Sequence, residues 1–140
     1  MSRFNVLLFL SISVFASLCL AGFALSQATS IDHSGHVGEK IHESTIRGYR
    51  LAYHLLVLPG KEARHLMVYI VDPAGKPVSS AKVGYLVIGP NGAKQKVMAM
   101  AMKDAFGGDV NFTVKGIYTI KTKAVAGNIK LLDRFTFEIK

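Results

Sequence analysis

The chain is predicted to be all-β: an antiparallel immunoglobulin-like β-sandwich of about seven strands, preceded by a signal peptide and a flexible arm. Three observations predict it. Runs of roughly five to ten residues alternate apolar and polar side chains with the period of a strand. Gly, Pro or Asn bounds each run, and no stretch beyond residue 28 carries a helical period.

Residues 1–28 differ in composition from the rest of the chain. Arg3 gives a positive start, and the run from Phe4 to Leu25 is almost continuously apolar. That is the pattern of a secretory signal peptide, with small-residue cleavage points after Ser26 and after Ala28. The run is also long enough to serve as an uncleaved anchor, the one case in which membrane contact is expected. Cys19, the only cysteine, lies inside this run, and the bulky Leu18 before it disfavours lipid attachment. An exported chain without further cysteine has no disulfide to lean on, so its stability must come from an apolar core.

Residues 29–45 are polar and rich in His, Ser and Gly with little periodicity, and are predicted to be the flexible arm. The sandwich domain is assigned to 46–140. Gly48 to Leu58 reads as its first strand, more apolar in its second half, and Pro59-Gly60 ends it. His65 to Val71 is the second. Asp72-Pro73-Ala74-Gly75-Lys76-Pro77 is a turn, in which Pro sets φ and Gly75 supplies a positive one. A strand from about Ala81 to Ile88 follows, and Asn91-Gly92 marks the tip of a hairpin into a strand that carries Met98, Met100 and Met102. Gly107-Gly108-Asp109 reads as a break. Val110 to Val114, Ile117 to Val125 and Leu131 to Ile139 complete the set.

The formal net charge is +8, of which Arg3 in the leader supplies one unit, and this favours anionic surfaces. The lysines are spread singly, as on the solvated faces of strands, and an exported chain with that spacing is not expected to bind nucleic acid. No enzyme is expected either. The sequence has no Gly-x-Ser-x-Gly elbow, no His-Glu-x-x-His and no phosphate-binding Gly-rich loop.

His and Met are better organised. Val97-Met98-Ala99-Met100-Ala101-Met102 places three thioethers at alternate positions, which on one flat strand project from one face. His65 and Met67 share a face of another strand, and two such strands side by side would join imidazole to thioether. Soft sulfur selects Cu(I), whereas structural zinc sites prefer the thiolate that this domain lacks. The competing reading is that Met67 and the ladder fill an irregular core, with His65 at the solvent edge. His33 and His36, in Asp32-His33-Ser34-Gly35-His36, form a second cluster that could capture an ion from the arm, or simply a polar linker. His54 reads as a partly buried, hydrogen-bonded imidazole.

The stretch Asp72-Pro73-Ala74-Gly75-Lys76-Pro77-Val78, followed by Ala81 and Val83, resembles the strand-turn-strand of secreted immunoglobulin-like sandwiches. With a Met-bearing central strand, the Gly116-Ile117-Tyr118 strand opening and an alternating last strand, residues 46–140 resemble the YtkA-like family of small exported domains, themselves similar to CopC-type and FixH-type periplasmic sandwiches. The resemblance implies copper handling. The expectation is therefore a periplasmic or secreted domain that binds or transfers a copper ion through His65, Met67, Met98, Met100 and Met102, with His33 and His36 as an outer capture site. Its partner would be another envelope or metal-handling protein. The alternative is a non-catalytic envelope interaction module whose Met ladder is core packing.

Overall fold

A computed structural model describes residues 35–140; the leader 1–28, Asp32 and His33 lie outside the described residues. Hairpins dominate the path. β1 (Glu39–Ile46) turns into β2 (Tyr49–Val57) through Arg47 and Gly48, both at positive φ, the two-residue turn whose twist matches that of paired strands. β3 (Ala63–Val71) pairs antiparallel with β2 from Arg64 to Val71. The Asp72–Lys76 turn then bonds itself: the Gly75 N–H donates to the Asp72 carbonyl, and the Asp72 carboxylate accepts from the Ala74 and Lys76 amides.

β4 (Lys82–Ile88) and β5 (Lys94–Met98) form the hairpin expected at Asn91-Gly92. Its turn is centred on Pro90-Asn91, with the Gly92 N–H on the Gly89 carbonyl at 3.0 Å and Gly92 at φ 82°. This is a Pro-initiated turn followed by a left-handed glycine, so Asn91-Gly92 is displaced by one position from the two-residue geometry it suggests. β6 (Met100–Met102), β7 (Ala105–Asn111), β8 (Gly116–Ala126) and β9 (Ile129–Ile139) follow. All pairings are antiparallel and fall into a five-stranded sheet, β1-β2-β3-β7-β6, and a four-stranded sheet, β5-β4-β8-β9.

The two sheets form a β-sandwich. Leu51, Tyr53, Leu66, Val68, Ile70 and Phe106 from one meet Val83, Val87, Ile120 and Leu131 from the other, all with essentially no exposure. Burying such side chains contributes about 1.5–3 kcal/mol each before chain entropy is set against it. Both sheets and the core between them close within residues 39–139, so this part carries all that its fold requires.

Three expectations are corrected. Residues 39–45, read as arm, belong to β1, whose Ile41 and Ile46 pack on the core and whose His42 stacks on Phe135 of β9 with ring centroids 4.2 Å apart. Gly107-Gly108-Asp109, read as a break, runs inside β7. The methionine strand is two strands. At Ala99, whose N–H donates to the Val83 carbonyl, the chain leaves the four-stranded sheet, and Met100 then pairs with Gly107 in the five-stranded one.

Burial pushes the hydroxyls of Tyr53 and Tyr85 far above the ordinary tyrosine range, and the Tyr85 hydroxyl donates to the Phe106 carbonyl at 2.7 Å. The unfolded chain ionises these tyrosines near their ordinary pKa of about 10, where the folded chain still holds both protons. The two buried hydroxyls therefore contribute stability that is fully present below pH 10 and is lost as pH rises above it. A melting midpoint followed from pH 8 to 12 checks this, and Tyr85→Phe should flatten the alkaline fall.

Candidate metal centre

Strand register, which no local pattern encodes, brings the candidate donors together. His65 of β3 lies opposite Asp109 of β7, and Met67 opposite Gly107, which on its other side faces Met100 of β6. One step along, Met102 pairs with Ala105. The alternation of β3 turns His65, Met67 and Tyr69 to the outer face of the five-stranded sheet, away from the inter-sheet core.

On that face His65 Nδ1 lies 2.7 Å from Asp109 Oδ1, and His65 Nε2 lies 3.1 Å from Met102 Sδ. In a neutral imidazole the carboxylate keeps the proton on Nδ1, which leaves the Nε2 lone pair aimed at sulfur. A thioether has no proton to give. Two electron-pair donors therefore converge on one point, and only an electrophile between them, a proton on Nε2 or a metal ion, makes the contact favourable. Bonds of about 2.0 Å to nitrogen and about 2.3 Å to sulfur, as for a d10 ion, would span 3.1 Å at a bite angle of about 90°.

Gly107 makes the room. A Cβ there would collide with His65 Nε2 and come within 3.0 Å of Met102 Sδ. Gly108 serves packing instead, since a Cβ on it would meet Val97 Cγ1 at 2.5 Å. Neither Gly107 nor Asp109 is singled out as a site residue by any motif in the sequence. A glycine pair next to apolar strand residues is the signal available for a close approach inside a sheet.

The ladder is not core. Met98 is 73 % exposed, Met100 75 % and Met102 43 %, while Val97 and Ala99 between them turn inward against the core. Nor is it one ladder, because Met98 belongs to the four-stranded sheet, where it lies opposite Gly84, and Met100 and Met102 to the five-stranded one. Met67, 3 % exposed, packs with Ala52, Tyr69 and Ala105 in a small cluster beneath the site. Its sulfur is thus beside the centre but covered.

His36 is held on the same face: its ring stacks on Tyr69 at 3.6 Å, and its Nδ1 lies 3.3 Å from His54 Nε2. The Val37 N–H donates to the Tyr69 hydroxyl, and buried His54 contacts the Gly38 carbonyl through Nδ1. His33, its expected companion, lies outside the described residues. Among the described residues no three His, Cys, Asp or Glu side chains gather as a metal site, so the centre at His65 depends on sulfur. Comparisons with protein-family models, curated proteins and solved structures find no match, and the residues themselves carry the functional reading.

Proposed function

We propose that this protein is an exported, non-enzymatic binding domain for a soft metal ion, Cu(I), held by His65 Nε2 and Met102 Sδ, with exposed Met100 as the third donor. The 3.1 Å approach of an imidazole nitrogen to a thioether sulfur carries the reading, with Asp109 orienting the ring from behind. Few donors at an exposed site suit an ion that is passed on to another envelope or metal-handling protein rather than stored. His36, stacked on Tyr69 on the same sheet face, would add a capture point. Met98, on the other sheet, takes no part.

An anaerobic competition titration of residues 29–140 with a Cu(I) indicator tests it. The parent should bind one ion at the centre, His65→Ala and Met102→Leu should each lose at least tenfold in affinity, and Met98→Leu should match the parent. Failure of the parent to compete, or equal binding by all variants, sinks the reading. Met→Leu conserves volume and apolarity, so the Met102 variant should stay folded with a change of less than about 1.5 kcal/mol.

A further inference from the structure

The outer face of the four-stranded sheet is the most basic surface among the described residues. Strand alternation turns Lys82 of β4, Lys94 and Lys96 of β5, Lys121 and Lys123 of β8, and Lys130 and Arg134 of β9 to this side, with Glu138 as its lone carboxylate. None of these seven cations has an ion-pair partner among the described residues. The ion pairs there lie elsewhere, at Lys40–Glu43 and Arg50–Glu43, as do the His42–Asp133 and His65–Asp109 contacts.

The register makes the crowding sharper. Lys96, Leu86, Lys121 and Arg134 stand in one row across the four strands, so Lys121 and Arg134 are direct cross-strand partners of like charge. Such a pair costs folding free energy. A sheet face selected only for solubility would alternate signs across such a row.

The neighbouring row is apolar at both ends: Met98, Gly84, Lys123 and Leu132, the last 58 % exposed. Gly84 has no side chain to fill the row, and an open trough of ≈ 420 Å³ lies over this row and the Lys96–Arg134 row beside it. Lys96, Lys121, Lys123 and Arg134 line it beside Met98 and Leu132, a mixture in which long stems cover apolar surface while their charged ends stay in water.

We propose that this face docks on an anionic bilayer, phospholipid phosphates meeting the lysine and arginine rim while Leu132 and Met98 reach the acyl boundary. The complementarity is that of a broad cationic face without ion-pair partners, apolar at Met98 and Leu132 on its two edge strands, to an anionic surface, where each cation adds to the attraction. His65 and Met102 lie on the outer face of the other sheet and would point away from the membrane, free to meet a partner. The proposal is independent of the metal reading.

Cosedimentation of residues 29–140 with vesicles tests it. The parent should bind vesicles containing phosphatidylglycerol and not pure phosphatidylcholine, and high salt should release it. Lys96→Glu with Lys121→Glu should weaken partitioning by about a hundredfold, whereas Lys61→Glu with Lys76→Glu, the same change of net charge away from this face, should weaken it by less than about threefold. Lys121→Glu alone places a carboxylate opposite Arg134 and should raise the melting midpoint while lowering vesicle binding, which separates loss of docking from loss of fold. No binding to anionic vesicles, equal binding to neutral ones, equal loss in both double variants, or binding to soluble polyglutamate without binding to vesicles each overturns the proposal.

Discussion

Gly107→Ala is expected to abolish Cu(I) binding while leaving every proposed ligand in the chain. The added methyl group would collide with His65 Nε2 and lie 3.0 Å from Met102 Sδ, so the imidazole would have to swing away and the thioether give way. Gly107 is buried at the middle of β7, between β3 and β6, so the backbone has little freedom to retreat. Overpacking of this kind costs about 1–3 kcal/mol, which a thermal melt should register as a lowered midpoint. The decisive measurement is the competition titration on the folded variant. A Gly107→Ala chain that binds Cu(I) like the parent would mean that the metal is held elsewhere. The matched substitution Gly92→Ala sits at a hairpin tip with open space around it and should leave metal binding unchanged, at some cost to the turn because its φ is 82°.

Removing residues 29–46 should destabilise the sandwich far more than loss of a tether would. The deletion takes away β1, the edge of the five-stranded sheet. It uncovers the core beside Ile41 and Ile46, strips His42 from Phe135, and takes the Ser44 hydroxyl from the Asp133 carboxylate. It would also remove Gly38, which packs so closely on the Leu55 carbonyl that a Cβ there would lie 2.8 Å away. A loss of about 3 kcal/mol or more is expected, lowering the melting midpoint by more than about 10 °C. Deleting 29–34 alone leaves β1 in place and should move the midpoint little. Equal midpoints for the two deletions and the parent would show that β1 contributes nothing.

The reason β1 is not legible in the sequence is physical. Glu39 to Ile46 is an edge strand with one partner, carries only two large apolar residues, and has an irregular register between Lys40 and His42. Edge strands need little apolar patterning, and polarity there guards against aggregation. The Arg47-Gly48 turn beyond it is equally silent, because arginine is an uncommon residue at positive φ. By contrast, β2, β3, β4, β8 and β9 are legible. Each is long, buried on at least one face and closed by turn residues, so its alternation is written locally.

For the candidate centre, the sequence by itself determined the donor types. It placed His65 and Met67 on one side of one strand, and it alternated three methionines with small or branched residues. It also determined a cationic surplus spread along the strands. The side each donor faces was decided only by tertiary structure. A local alternation says that neighbouring side chains point opposite ways, but not which way is inward. The exchange of sheets at Ala99 settles that here, turning Val97 and Ala99 to the core and dividing the methionines between two surfaces. Asp109 joins His65, and Lys121 meets Arg134, for the same reason: antiparallel register couples residues 44 and 13 positions apart in sequence, and it is set by the packing of whole strands rather than by the residues that it brings together.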